Sequence, residues 1–239
     1  VLKQLFLSSL LLMLLCGASA CSQKTPEKPA ITAVKLAYHL KPHDSIRMVY
    51  SVRKSSELKK LEISVLFVID SVAHNNYFFH GTLQHMGYDK PESELELGMN
   101  QDYKALEGAT HSFEMTPQGV FVSDVSPSAT LPYEIKSFFP ELPSTELRKG
   151  STWSTVSAQE KGIINKIVCD YTVDHINDNE RMVATSKVKY IDDTGMFSKS
   201  GTGIYAIDTD TGLLAKSEIT FDSKTPVGVL KHVYTLIRL

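Results

Sequence analysis

Few residues in this chain could do chemistry, and their spacing narrows what that chemistry would be. Ser56-Glu57-Leu58-Lys59 has the S-x-x-K form of a penicillin-recognising nucleophile, in which a lysine one helical turn away assists the serine. That motif belongs at the start of a core helix. Here it lies between two predicted strands, and Lys224-Thr225-Pro226 lacks the glycine of the companion K-T-G. No G-x-S-x-G elbow occurs. His80 and His85 are five apart, which points them to opposite faces of a strand, and Pro42 between His39 and His43 keeps that pair off a helix. Neither pair is expected to share a metal ion. Asp208-Thr209-Asp210-Thr211-Gly212 resembles the start of a calcium loop, but its glycine comes one position early, and a hairpin turn favours the same residue types. Asp192-Asp193 and Glu92, Glu94 and Glu96 read as solvated turn charges. No catalytic residue, metal site or cofactor is assigned, and an enzyme has no positive support.

Covalent chemistry is expected at one cysteine. Lys3 precedes an apolar run over residues 5–15, then Gly17-Ala18-Ser19-Ala20 and Cys21. Such a run is too short for the roughly 20 helical residues that span a bilayer, so residues 1–20 read as a signal peptide. Small residues directly before Cys21 resemble a bacterial lipobox, whose cysteine is acylated and becomes the first residue of the mature chain. Ala18 stands where that pattern usually has Leu, and Ala18-Ser19-Ala20 also has the form cut by the general signal peptidase. The polar, proline-bearing stretch from Ser22 to Pro29 favours the lipoprotein, because it suits a tether. Each buried acyl CH₂ contributes about 0.8 kcal/mol, so two or three chains make the attachment permanent. Ser22 after the anchor fits sorting to an outer membrane, facing the periplasm or the exterior.

The chain has 239 residues, 42% of them hydrophobic, enough to bury a core. Its net charge is −2, and −3 once Lys3 leaves with the signal. Without a basic surface, nucleic acid is excluded as a partner. Of three cysteines, Cys16 leaves with the signal and Cys21 carries lipid, so Cys169 has no partner for an internal disulfide. It alternates with Ile167, Tyr171 and Val173 on an apolar strand face and reads as a buried small hydrophobe.

Past residue 30 the dominant period is two. Ile46, Met48, Tyr50 and Val52 alternate with Arg47, Val49, Ser51 and Arg53, and Phe113 and Met115 with Ser112 and Glu114. Such alternation predicts strands with one face on a core. Turn signals separate them at 74–76, 117–119, 177–179 and 210–212, so neighbours should pair antiparallel. Residues 88–102 read as a long acidic loop. Tyr133 to Phe139, bounded by Pro132 and Pro140, is the best candidate for a short helix, near 130–139. The expected fold is mainly β: a large curved antiparallel sheet, half-barrel or sandwich. It forms one domain over residues 34–239, after a lipidated tether at 21–33. Ile69-Asp70 before Asn75-Asn76 recurs as Val173-Asp174 before Asn179-Glu180, and Phe113 to Gly119 recurs as Tyr205 to Gly212. Two related halves, about 36–126 and 147–223, follow from that recurrence.

Three motifs in order carry a family resemblance. They are Leu106-Glu107-Gly108 leading to Thr116-Pro117-Gln118-Gly119; Phe139-Pro140-Glu141-Leu142-Pro143 leading to Lys149-Gly150-Ser151-Thr152-Trp153; and Ser200 to Tyr205 leading to Thr211-Gly212-Leu213-Leu214. Over roughly residues 36–223 the chain resembles an uncharacterised family of bacterial secreted β-rich proteins, a domain of unknown function. The resemblance implies an envelope location and an antiparallel fold, and brings no active site. Trp153, directly after a turn, is expected in the core.

These readings point to a lipid-anchored, non-catalytic envelope protein that binds an apolar small molecule or another envelope protein. A structural or assembly component is the alternative, and a hydrolase without a recognisable motif a more distant one. A strongly curved sheet can leave a concave apolar face for a ligand. The residues expected there are Tyr77, Phe79, Phe138 and Phe139.

Overall fold

Period-two hydrophobicity resolves into paired strands throughout the computed structural model, which describes residues 32–54, 59–124, 138–158, 166–177, 181–191, 198–225 and 228–239. The strands are β1 (Ala33–Lys35), β2 (Ser45–Lys54), β3 (Leu61–Ala73), β4 (Asn76–Tyr88), β5 (Thr110–Met115), β6 (Phe121–Asp124) and β7 (Glu146–Arg148). They continue with β8 (Thr152–Ala158), β9 (Lys166–Asn177), β10 (Arg181–Ile191), β11 (Ser198–Asp208), β12 (Leu214–Thr225) and β13 (Gly228–Arg238). Eleven form one sheet in the order β6-β5-β4-β3-β2-β13-β12-β11-β10-β9-β8, and β1 pairs with β7. Every pairing is antiparallel. The fold is mainly β, as expected, and the sheet does not close.

Turn chemistry explains the hairpins. His74 (φ 51°) and Asn75 (φ 64°) form the two-residue link between β3 and β4. Two left-handed residues in sequence match the twist of the strands they join. Gly119 and Gly212 take φ of 84° and 71° in the β5–β6 and β11–β12 turns, where a Cβ would be strained.

The sheet must curl, and one inserted segment shows why. The Tyr38 N–H donates to the Pro117 carbonyl at 2.7 Å, and the next residue, His39, donates to the Thr211 carbonyl at 3.0 Å. Those carbonyls belong to the β5–β6 and β11–β12 turns. β5 and β11 are six places apart in the sheet order, which in a flat sheet is about 29 Å at a strand spacing of about 4.8 Å. Neighbouring Cα atoms are only about 3.8 Å apart, so the two ends of the sheet bend toward each other around residues 36–40. Gly212 is required here: a Cβ on it would lie 2.3 Å from the Ala37 carbonyl oxygen.

One core cluster joins Phe67, Phe79 and Phe113 of the first half with Tyr171, Val173 and Tyr205 of the second. Its middle is filled by the chain itself, with Leu36, Tyr38, Leu40, Phe138, Phe139 and Leu142 all buried. The Phe139 ring lies 5.0 Å from that of Phe67 and 5.3 Å from that of Phe79, and Phe138 lies 5.5 Å from Phe67. Edge-to-face contacts of this kind add about 0.5–1.5 kcal/mol each beyond burial. Gly81 leaves room for Phe67, its cross-strand partner, since a Cβ would sit 2.7 Å from that ring. Gly201 does the same for Phe221 at 2.6 Å.

Two expectations change. The stretch 88–102, read as a loop, holds most of α1 (Glu94–Lys104). Ser93 caps it by accepting from the Glu96 N–H at 3.2 Å, and the Glu96 carboxylate accepts from the Glu92 N–H at 2.8 Å. This is an S-x-x-E capping pattern, obscured in the sequence by the surrounding acidic residues. Most of the helix expected near 130–139 lies outside the described residues, and Phe138 and Phe139 sit in a turn.

Candidate functional site

The four aromatic residues expected to line a ligand site are placed in the core. Tyr77, Phe79, Phe138 and Phe139 are buried, with Tyr77 the most exposed at 7%. Tyr77 donates its hydroxyl to the Tyr38 carbonyl. The rings of Phe79, Phe138 and Phe139 meet other aromatic side chains. The concave face on which a ligand was expected is the face covered by residues 36–40 and 138–142.

The chemistry-bearing residues are held apart or committed to other contacts. Ser56 lies outside the described residues, and Lys59 donates to Glu96 at 2.6 Å, tying the start of β3 to α1. That bond and the Glu92 N–H hold the Glu96 carboxyl down at about 2. His80 and His85 share the outer face, against the expectation of opposite faces. A register shift at Ser64/Val65 leaves Gln84 unpaired, which inverts the alternation between the two histidines. Each has its own carboxylate: His80 Nδ1 lies 2.8 Å from Asp70 and His85 Nδ1 3.0 Å from Glu107. Ser112 is opposite His80 in the register, yet no hydrogen bond joins its hydroxyl to the ring. A Ser–His–Asp sequence of bonds therefore lacks its first link. Among the described residues no three His, Cys, Asp or Glu side chains gather as a metal site.

Asp208 uses its carboxylate within its own turn. Oδ1 accepts from the N–H groups of Asp210 and Thr211 at 3.1 and 3.0 Å, and Oδ2 accepts from Arg238 at 3.0 Å. Burial pushes the Asp208 carboxyl up, but the Thr211 N–H and the Arg238 guanidinium outweigh it and hold the carboxyl below its usual value. The turn reading explains the Asp and Gly of this segment.

On the inner face of the second half, polar atoms enter the core. Trp153 stacks on Tyr171 at 4.5 Å and 8°, and Tyr171 meets Tyr205 edge-on at 5.2 Å. Trp153 thus packs against the core, as expected. Burial raises the Tyr171 and Tyr205 hydroxyls above the ordinary tyrosine value, so both stay neutral. Cys169 is half-buried beside this group.

The outer face behind those residues holds an open groove of about 620 Å³ across β8 to β12. The strand register builds it from two rows. One runs Thr152, Thr172, Thr185, Ile204, Glu218, and the other Ser154, Asp170, Lys187, Thr202, Thr220, each residue the cross-strand partner of the next. Backbone at Trp153, Tyr171, Ser186 and Gly203 lies between the rows. Ser154 donates to Asp170 at 2.7 Å, and Lys187 forms no ion pair among the described residues. Ile204 is 59% exposed, an aliphatic side chain within a polar row. Six of the ten row residues carry hydroxyls, three carry charges of mixed sign, and none is aromatic. Sequence reasoning missed this site because each member is an ordinary outward strand position, and only the register aligns them.

No family model matches the chain. No curated protein matches it either. A solved structure described as a putative lipoprotein from Parabacteroides distasonis ATCC 8503 is similar, with a TM-score of 0.37 and 8% identity over 85% of this chain and 97% of that one. Nothing further rests on that likeness. Among the described residues no helix is long and apolar enough to cross a membrane.

Proposed function

We propose that this chain is a non-catalytic binding component of the bacterial cell envelope, held to a membrane by acyl chains on Cys21, and that it meets its partner on the outer face of β8–β12. The observation that carries this reading is the occupied interior. Leu36, Tyr38, Phe138 and Phe139 fill the concave face, so a ligand the size of a fatty acid would have to displace buried aromatic side chains. Truncating one such ring costs about 3–5 kcal/mol, and displacing several is prohibitive. The open groove on the opposite face needs no such displacement. Membrane attachment is supported by the segment ending in Ala18-Ser19-Ala20-Cys21 and by the polar tether after it.

Mass spectrometry of the mature protein extracted from native membranes tests both parts. The expected result is a chain beginning at Cys21 with diacylglycerol on the sulfur and no co-purified apolar molecule. An unmodified N-terminus at another position refutes the anchor. A stoichiometric lipid retained through purification refutes the filled interior.

A further inference from the structure

We infer that the groove across β8–β12 binds a linear, neutral glycan lying across the strands, its hydroxyls bonded by the two rows of side chains. The inference rests on the envelope reading only for the source of the glycan. The lining itself excludes other ligand classes. A polyanion needs several cations, and the groove offers Lys187 alone. An apolar molecule needs apolar walls, and Ile204 is the one large aliphatic side chain of the rows. A peptide adding as a strand would have to do so beside β8, at the end of the sheet, and would leave the side-chain rows of β9, β10 and β11 uncovered, because those strands are paired on both sides. A protein partner would call for aromatic or Arg anchors, and the rows have none.

The remaining features suit a chain of polyol units. Thr172, Thr185 and Thr202 present hydroxyls that donate and accept, as sugar hydroxyls do. Asp170 and Glu218 can each accept from a pair of neighbouring hydroxyls. Ile204, exposed between Thr185 and Glu218 in its row, offers a surface for the C–H face of one ring. Successive groups repeat at the strand spacing, about 4.8 Å, close to the rise per sugar in an extended β-linked chain. Five strands give about 19 Å of groove, room for some four units. Threonine favours strands in general, but that preference would populate the whole outer face. The outward positions of β3 and β4 carry Leu66, Val68, Phe78 and His80 beside Ser64 and Thr82, and Thr82 reaches only one hydroxyl neighbour, Thr110. Hydroxyl rows of this length belong to the second half.

Two probes test the inference on the full mature protein in detergent. Titration calorimetry with the β-1,4-linked N-acetylglucosamine hexamer is expected to give saturable binding. The triple variant Thr172→Val, Thr185→Val, Thr202→Val, which keeps shape and strand preference, should weaken it at least tenfold. Thr82→Val with Thr110→Val, on the other half, should leave it unchanged. Co-sedimentation with purified peptidoglycan sacculi and with a soluble β-glucan identifies the source, since binding to one alone assigns it. Absence of binding to all three probes, or equal loss in the triple and control variants, overturns the inference. Diacylglycerol on Cys21 is measured independently, so a failure here is distinguishable from a failure of the envelope reading.

Discussion

The two ends of the sheet are both built from antiparallel neighbours and differ in what they bury. Inside β3–β5 the core is mainly phenylalanine: Phe67, Phe79 and Phe113 pack with Phe121 and Phe139, and the polar atoms among them come from Tyr77, bonded to the Tyr38 carbonyl, and the buried His111. Inside β8–β11 it carries oxygen, nitrogen and sulfur, from Trp153, Tyr171, Tyr205, Ser186 and Cys169. The outer faces differ in the opposite sense. The first half ties its polar groups into pairs, His80 with Asp70, His85 with Glu107 and Asn76 with Glu114. The second half has pairs of its own, Ser154 with Asp170 and Arg238 with Asp208, but among the described residues Lys187 forms no ion pair and the threonines lie beside an open groove. A half with saturated pairs outside and rings inside serves the fold. The other half gives up some hydrophobic burial and leaves a polar groove open on its outer face.

Substitutions at four places would break or sharpen this contrast. The largest effect is expected where the halves meet. Gly212→Ala should cost about 2–5 kcal/mol in urea unfolding, combining left-handed strain with a clash on the Ala37 carbonyl. Gly150→Ala, at φ 82° but with nothing nearby, should cost only about 1–2 kcal/mol. Equal costs would mean that residues 36–40 do not clasp the two turns. Next comes an exchange of hydroxyls between the cores. Phe79→Tyr puts a hydroxyl among phenylalanines and should cost about 1–3 kcal/mol. Tyr205→Phe should cost about 1 kcal/mol or less by the same measurement, because only one net hydrogen bond is lost. Similar values would erase the difference between the two interiors.

A pH effect of intermediate size is expected at Asp208. Its carboxyl is held below the unfolded value of about 3.9, so its contribution is complete above that pH and is lost as pH falls through the folded value. Asp208→Asn should therefore lower stability near neutrality and flatten the decline below about pH 4. An unchanged acid limb would show that Arg238 and the turn N–H groups do not favour the carboxylate. The smallest effect belongs to α1: Ser93→Ala should cost about 1 kcal/mol or less and speed amide exchange at Glu96.

Much of the fold was legible because alternation and turn chemistry act locally. Ile46, Met48, Phe113 and Met115 reveal their inner face within a few residues, and Gly119 and Gly212 mark turns that need positive φ. What escaped depends on distant partners. Gln84 drops out of the ladder through its pairing with β3, and so reverses the side on which His85 emerges. Phe138 and Phe139 look like candidates for a ligand site until the inserted segment beside them is seen. The groove is less legible still, since it exists only once five strands fix their registers.

The path of the chain into the domain has a mechanical consequence. Under the attachment proposed at Cys21, a tug from the surroundings would reach the domain through residues 32–40. Those residues run from a two-stranded pair with β7 to the Tyr38 and His39 contacts that draw the two turns together. Such tension would load the joint between the halves before it reached β6 and β8, the outermost strands in the sheet order. A firm pull would spread the curled sheet open, changing the shape of its outer face while leaving most strand pairings intact.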